Sequence, residues 1–245
     1  MKYPMWILLS TFLLIKLSIG IAHADINIAS DNIPGILDLN DKQSPYYRFI
    51  QQVNLATDGD IVIDVFPPRR AGNVFNKKTA DCHFPASADH APSDPDLLQT
   101  IPFNAANAHF FAKQPFKPSF TLKTADVRFR IAFRRGNSFG GLSANLDPHQ
   151  QFGVNNIDQA FGMLKKDRVD LVLAYLPDAQ ELATKGNGDK SFYKTPQPVY
   201  VQTEHIVCYR SKETEIFIEQ ANQAIKQLKE SGKLRKILGN AYLAP

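Results

Sequence analysis

Apolar residues follow two different periods along this chain. Short runs of β-branched residues at 26–29 and 61–66, bounded by Asp, Asn, Gly and Pro, predict strands. Between these runs, four apolar residues recur at helical spacing: Tyr46, Phe49, Ile50 and Val53. The start of the chain therefore predicts the order strand, helix, strand.

A second helix and a third strand are predicted in the same half of the chain. Pro67-Pro68 suits the start of a helix because the φ angle of proline already has a helical value. The helix is expected to end before Asp81. The short apolar run Cys82 to Pro85 that follows is typical of a buried parallel strand.

The second half repeats this order of elements. A strand predicted at 127–133 leads into a Gly-rich loop at 136–141, and a helix begins near Asn156, a good N-cap residue. The apolar residues of this helix fall on one face: Ile157, Ala160, Phe161 and Leu164. An Asp and an apolar strand at 171–175 then follow, as in the first half.

The chain closes with a further strand and a long amphipathic helix. The strand is predicted at 204–209, and the helix is predicted from about Thr214. Its apolar face consists of Phe217, Ala221, Ala224, Ile225 and Leu228. Gly232 is the expected C-terminal cap.

The repetition predicts two α/β lobes, each with its own open sheet, in preference to one continuous sheet. Two extended, Pro-containing stretches, 108–118 and 196–201, separate the two sets of elements, with the crossings at 108–114 and 197–201. We expect these stretches to be the crossings of a two-strand hinge. Residues 25–107 and 202–245 are then expected to form lobe 1, and residues 115–196 lobe 2.

The first 24 residues have the pattern of a secretory signal peptide. Lys2 precedes an apolar segment, and residues 22–24 have the small-x-small form that signal peptidase recognises. We expect cleavage before Asp25 and a periplasmic location for the mature chain. The alternative is a membrane anchor, although Lys16 interrupts the apolar run.

Composition and charge exclude several classes of protein. With 44% hydrophobic and 21% charged residues, the chain is neither disordered nor collagen-like nor a coiled coil. The formal net charge is +4, and it falls to +2 without the segment that holds Lys2 and Lys16, so no nucleic-acid partner is expected. The cysteines, Cys82 and Cys208, lack the spacing of a zinc site, and we expect neither a metal nor a cofactor.

Two motifs are the most specific in the sequence: Arg168-Val169-Asp170 and the pattern at 222–237, Asn-x-Ala-Ile-x-x-Leu-x-x-Ser-Gly-x-Leu-x-x-Ile. Together with the order of elements given above, they resemble the bacterial extracellular solute-binding proteins of family 3. These are small type II periplasmic binding proteins that include the receptors of polar amino-acid transporters. The resemblance covers essentially the whole chain after residue 24.

This resemblance implies an α/β, two-lobed periplasmic-binding-protein-like fold of type II, with open, mostly parallel sheets flanked by helices. It also implies that the lobes close on a small polar ligand. The expected partner is an inner-membrane ABC permease, and the protein itself is expected to be a monomer. A periplasmic sensor that docks to a membrane signalling receptor is the alternative, since the two functions use the same closed surface.

The charged residues with which that family holds an amino acid do not carry over to this chain. Family receptors have an Arg shortly after the Asp-apolar strand of the first lobe, whereas residues 86–92 here contain none. In the second lobe, Tyr175 stands where the family has an Asp. Because an unpaired buried charge is costly, we do not expect standard α-amino acids to bind with the affinity typical of the family.

Six residues are candidates for ligand contact: Arg70, Ser87, Asn137, Ser138, Phe139 and Tyr175. The loop at 136–141 either offers N–H and hydroxyl groups to an anion or is only a tight turn that needs glycine. Arg70 is either a ligand cation or a solvated helix charge, and the sequence does not distinguish it from Arg69. Tyr175 either contacts the ligand or packs in a half-buried position.

Enzymatic function is not expected, because the sequence has no nucleophile elbow, zinc-protease motif or Walker motif. Some relatives of the implied fold are periplasmic dehydratases, with a cleft carboxylate as acid or base. Asp89 and His90 follow the first-lobe strand, so a dehydratase-like enzyme remains a minor alternative.

The resemblance places the strands of Cys82 and Cys208 beside each other in lobe 1. In an oxidising compartment an even number of thiols tends to pair, so Cys82 and Cys208 are candidates for a disulfide. Two buried thiols that pack as small apolar residues are the alternative, because the sequence does not define the register of the strands.

Overall fold

The structure is a computed structural model. It describes residues 25–38, 40–57, 59–87, 94–120, 129–176, 178–179 and 192–245. The expected signal peptide, residues 1–24, lies outside the described residues, and so do Asp89 and His90.

The first set of elements, which we call the first unit, begins with alternating strands and helices. The order is β1 (Ile26–Asp31), α1 (Pro45–Asn54), β2 (Ile61–Phe66), α2 (Pro68–Asn76) and β3 (Cys82–Ser87). β1 pairs in parallel with both β2 and β3. Both helices have a proline in the first turn, where no N–H is needed for the helix ladder. The predicted elements of this half are confirmed.

The second unit repeats the arrangement. It consists of β6 (Ile131–Arg134), β7 (Gln151–Val154), α3 (Ile157–Lys165) and β8 (Leu171–Leu176), and β6 pairs in parallel with β7 and β8. The side chain of Asn156 caps α3 by accepting a hydrogen bond from the N–H of Gln159 at 2.8 Å, as the sequence predicts. The Gly-rich loop continues into a 3₁₀ segment, Phe139–Asn145.

Two long strands connect the units. β5 (Asn104–Ala112) and β10 (Tyr200–Tyr209) pair in antiparallel fashion, from Asn104 opposite Glu204 to Ala108 opposite Tyr200. β5 also pairs with β8 in the second unit, and β10 pairs with β3 in the first. The short strands β4 (Leu97–Gln99) and β9 (Tyr193–Lys194) add to β10 and β5, respectively.

Hydrogen bonding therefore runs through both units as one sheet, in the order β2-β1-β3-β10-β5-β8-β6-β7. This corrects the expectation of a separate sheet in each lobe. The stretches expected to cross as a simple hinge overlap β5 and β10. The backbone donors and acceptors of these strands pair with each other and with the sheet on either side, so the ladder does not stop between the units.

The apolar cores, by contrast, are divided. One core lies in the first unit and includes Phe49, Phe84 and Phe103 together with residues of the C-terminal helices. Two further cores cover opposite faces of the second-unit sheet, with Phe110 in one and its neighbour Phe111 in the other. The sheet is therefore continuous, whereas the apolar cores are separate.

The C-terminal helices pack on the first unit. They are α4 (Lys212–Glu230), which starts with a capping box of Ser211 and Thr214, and α5 (Lys233–Leu238). The predicted apolar face of α4 is buried, and Gly232, with a φ of 69°, separates the two helices. In the described part of the chain, no helix is long and apolar enough to cross a membrane.

Candidate functional site

The candidate site lies where the carboxyl ends of the parallel strands of the two units meet. β1 ends at Asp31 and β3 at Ser87 in the first unit, whereas β6 ends at Arg134 and β8 at Leu176 in the second. Ligands of open α/β sheets bind at this edge. A cavity of about 480 Å³ lies there, and its walls include Asn32, Pro68 and Arg69 from the first unit and Arg134, Arg135 and Asn156 from the second.

Arg134 links the two walls of this cavity, and it is 5% exposed. Its Nη1 donates to the main-chain carbonyl of Asn32 at 3.2 Å, and its Nη2 donates to the Asn137 side chain at 3.4 Å. The Asp178 carboxylate is 3.7 Å away, and Nε has no partner. The guanidinium is thus buried with long contacts and an unused donor.

Two carboxylates lie near Arg134. Burial raises the pKa of Asp178, and repulsion from Asp31 raises it further, whereas attraction to Arg134 lowers it. Asp31 in turn lies 3.4 Å from Nε2 of His83. A carboxylate from each unit therefore accompanies the Arg134 guanidinium, and neither carboxylate lines the cavity.

A second polar network lies deeper, beside the strands that connect the units. Glu204 of β10 accepts hydrogen bonds from the Tyr46 hydroxyl and from Asn104 Nδ2, the latter at 3.0 Å. Asn104 Nδ2 also donates to Tyr46 and to the carbonyl of Ala241, and its Oδ1 accepts from the N–H of Leu243 at 2.8 Å. Burial raises the pKa of Glu204 to about 7, although the bonds from Tyr46 and Asn104 counteract the rise.

Tyr175 packs in an apolar core of the second unit, at the end of β8. Its hydroxyl donates to the Gln202 side chain of β10 at 2.9 Å, and its ring lies 4.6 Å from that of Phe139. Tyr175 is 8% exposed, and Phe139, with a φ of 49°, is fully buried. Both residues were predicted to contact a ligand, and the structure packs both in the core of the second unit.

The two polar loop residues lie on a neighbouring cavity of about 470 Å³. Asn137 and Ser138 line it together with Arg69 and Arg135. Gly136, which precedes them, has a φ of 98°, a value that favours glycine. The loop is therefore a tight turn whose polar residues also line a cavity, and contact with an anion stays a prediction.

Arg69 and Arg70 have different surroundings in the structure. Arg69 lines both cavities, whereas the Arg70 guanidinium lies over the Phe66 ring, 5.1 Å from its centroid. Ser87, the last residue of β3, is 9% exposed and stands opposite Glu204 in the register. Of the two arginines, Arg69 is the one positioned for a solute in the cavity.

The cysteines are joined. Cys82 of β3 and Cys208 of β10 stand opposite each other in the antiparallel register and form a disulfide with a Cα–Cα distance of 3.9 Å. Both belong to the core of the first unit. The bond therefore holds the returning chain to the first unit without crossing the junction.

Several charged residues of the site were not found from the sequence, among them Asp31, Arg134, Arg135, Asp178 and Glu204. Arg134 extends a strand that was predicted to end one residue earlier, and Asp178 lies three residues beyond Tyr175. A rule that takes the first charged residue after each apolar strand would have identified Arg134 and Asp178. Glu204 lies inside a strand, and only its burial distinguishes it.

No group of three or more His, Cys, Asp or Glu side chains within the described residues has the geometry to hold a metal ion.

Comparison with known proteins gives the fold. No protein-family model matches the chain, and no curated protein matches it. Among solved structures, the GluR0 ligand-binding core from Nostoc punctiforme in complex with L-glutamate is similar, with a TM-score of 0.71 and 12% identity over 89% of this chain and 99% of that one.

Two further structures are similar over the same 89% of this chain. The substrate-binding protein of an amino-acid ABC transporter has a TM-score of 0.68 and 12% identity, with 99% of that chain covered. A histidine kinase sensor domain with similarity to periplasmic binding proteins has a TM-score of 0.73 and 12% identity, with 96% covered. The chain thus has the periplasmic-binding-protein-like fold.

Proposed function

We propose that this protein is a periplasmic solute-binding protein that captures a small polar ligand between two closing lobes. The observation that carries this proposal is the hydrogen bond from Arg134 in one unit to the Asn32 carbonyl in the other, at the wall of a cavity that both units line. A solute in this cavity contacts both units at once. Its binding energy therefore favours the closed arrangement.

The boundaries proposed for the lobes are 25–107 with 202–245 for lobe 1, and 115–196 for lobe 2. The division of the apolar cores supports this assignment, since the first core takes residues from both ends of the described chain. Closure is proposed to occur by bending of β5 and β10 at the stretches 108–114 and 197–201. These strands are the covalent connection between the cores.

We propose that the chain is a relative of the family 3 solute-binding proteins, exported by cleavage after residue 24 and serving an ABC-type importer. The motifs around Arg168-Val169-Asp170 and at 222–237 support the family, and the fold is consistent with it. A sensor that docks to a membrane receptor is the second candidate, which the likeness to a histidine kinase sensor domain favours. A dehydratase-like activity is the third candidate, and its carboxylate candidate, Asp89, lies outside the described residues.

Small-angle X-ray scattering tests the proposal directly. The purified protein is screened by thermal shift against amino acids, polyamines, organic acids and small aromatics, and solutes that stabilise it are added before scattering. We expect a smaller radius of gyration with the ligand, and mass spectrometry is expected to recover the ligand unchanged. A ligand that leaves the radius of gyration unchanged would contradict closure, and conversion of the ligand would support an enzyme.

A further inference from the structure

We propose that the cavity between the units is a binding site for a small solute with two or more anionic oxygens and no ammonium group, such as a di- or tricarboxylate. This inference rests on the proposed function and narrows the class of ligand. It follows from the charges on the cavity wall, from the state of Arg134 and from the helix ends that meet there.

The wall of the cavity is cationic. Arg69, Arg134 and Arg135 line it, and no acidic residue of the described chain does. Arg135 donates to the side-chain amide of Asn155 at 2.9 Å, which leaves its charge uncompensated. Among the described residues, no carboxylate forms an ion pair with Arg69 or Arg135. Such a concentration of positive charge between low-dielectric walls attracts anions.

The Arg134 guanidinium in this wall has an N–H donor without a hydrogen-bond partner. The residue is 5% exposed, its Nε is buried without a partner, and its carboxylate neighbour Asp178 is beyond hydrogen-bond distance at 3.7 Å. A buried guanidinium normally has its donors paired, since an unpaired one costs free energy. A carboxylate or phosphate oxygen in the cavity would accept charge-assisted hydrogen bonds from the Arg134 guanidinium.

Helix N-termini from both units face the same cavity. α2 contributes Pro68 and Arg69 from its first turn, and α3 contributes Asn156 and Ile157. The partial positive charge at a helix N-terminus favours an anion. Because the two helices belong to different units, a solute with anionic groups at two positions can interact with both ends and hold the units together.

The same wall disfavours an amino-acid zwitterion. An ammonium group in the cavity would meet arginines, prolines and asparagine side chains, and no carboxylate among the described wall residues would compensate it. The desolvation of that ammonium group would go without a counter-charge. Selectivity therefore comes from the absence of an acid on the wall as much as from the presence of arginine.

Isothermal titration and thermal shift at constant ionic strength test this inference. The probes are succinate, citrate and phosphate, with L-glutamine, L-arginine and spermidine as probes that are not purely anionic. We expect one or more of the three anions to bind, and phosphate alone among them would indicate a phosphate ligand instead of a carboxylate. Arg69→Gln is expected to weaken anion binding roughly tenfold and Arg134→Gln by more, the cost of losing a charge-assisted hydrogen bond.

Arg70→Gln is the matched control, because Arg70 is adjacent in the sequence and its guanidinium stacks on Phe66 outside the cavity wall. It is expected to leave affinity unchanged. If Arg134→Gln does not fold, the anion affinities of Arg69→Gln and Arg70→Gln are compared, and a loss in Arg69→Gln alone supports the inference.

Two results would overturn the inference: no stabilisation by any of the three anions at 10 mM, about the upper end of useful ligand concentrations, or anion binding that Arg69→Gln and Arg134→Gln leave intact. Binding of L-glutamine, L-arginine or spermidine in the same experiment would uphold the proposed solute-binding function while refuting the anionic ligand. The two proposals can therefore fail separately.

Discussion

Gly136 of the second unit lies directly against Pro68 of the first. A Cβ atom at Gly136 would stand 3.1 Å from the Pro68 Cβ and 3.3 Å from the Arg69 nitrogen. The backbone at Gly136 is therefore in close contact with the start of α2, beside the neighbouring cavity that Gly136 lines. The close approach explains why the loop needs a residue without a side chain at that position.

We expect Gly136→Ala to hinder closure of the units. Its methyl group has to displace the start of α2, and the backbone angle at 136 adds strain of about 1 kcal/mol. The radius of gyration measured by scattering with a bound ligand should remain close to that of the ligand-free protein, and ligand affinity should fall.

Gly141→Ala is the control for that strain. Gly141 has a φ of 83°, yet nothing lies within 4 Å of a Cβ built there. The Gly141→Ala variant is expected to lose about as much stability as Gly136→Ala and to close normally on the ligand. Equal effects of Gly136→Ala and Gly141→Ala on closure would show that the contact with Pro68 is unimportant.

Glu204 should make the stability of the protein depend on pH. Its pKa is raised from the ordinary value of 4.5 to about 7 by burial, so the folded protein holds this proton more tightly than the unfolded chain. The stabilising contribution is fully present below pH 4.5 and is lost as the pH rises through about 7. The loss is on the order of 3 kcal/mol.

Glu204→Gln removes this titration. Relative to the variant, the wild-type protein is expected to lose free energy of unfolding between pH 4.5 and pH 8, as measured by urea denaturation at a series of pH values. Glu219→Gln, which removes an exposed carboxylate on α4, serves as the control. Parallel pH profiles of wild type and Glu204→Gln would mean that Glu204 titrates normally.

The disulfide should contribute to stability and leave binding unaffected. It closes a sequence separation of 126 residues between Cys82 and Cys208. The chain-entropy model assigns such a crosslink about 4 to 5 kcal/mol, so the double variant Cys82→Ala, Cys208→Ala should melt on the order of 10 °C lower. Because both cysteines lie in the first unit, ligand affinity below the melting transition should not change.

Thiol titration of the denatured, unreduced protein checks the bond itself. No reactive thiol is expected, and two free thiols per chain would refute the disulfide. A variant with normal melting but weakened ligand binding would instead place the bond in the hinge.

Tyr175 is expected to stabilise the junction through its hydroxyl. Tyr175→Phe keeps the contact with Phe139 and removes the hydrogen bond to Gln202. We expect a loss of about 1 kcal/mol, or a melting temperature roughly 2 to 4 °C lower. Tyr47→Phe, at a partly buried tyrosine without a hydrogen bond among the described residues, should have a smaller effect. A larger effect of Tyr47→Phe would contradict this role for Tyr175.

The local elements follow closely from the sequence because their signals are local. The Asn156 cap, the apolar face of α4 and the strand at 61–66 each depend on residues within about one or two helical turns or one strand. Their predictions are confirmed. The division of the apolar cores also reflects this repeated order of elements.

The candidate site was less accessible to sequence analysis. Tyr175 was selected because it stands where the family has an Asp and Phe139 because it lies in the Gly-rich loop, and both pack in a core of the second unit. Arg134 and Asp178 lie within a few residues of Phe139 and Tyr175 in the sequence. Arg69 and Arg70 are adjacent in α2, and their side chains point in different directions from the helix axis. A shift of one residue on a helix moves a side chain by about 100° around the axis, which a motif does not resolve.

The order of strands and helices and the apolar faces of the helices follow from the sequence alone. The joining of both units into one sheet by β5 and β10, the pairing of Cys82 with Cys208 and the contact of Arg134 with the Asn32 carbonyl became known only from the three-dimensional structure. The physical reason is that periodicity depends on neighbours along the chain. Strand register and the meeting of two units are set by contacts between residues a hundred positions apart.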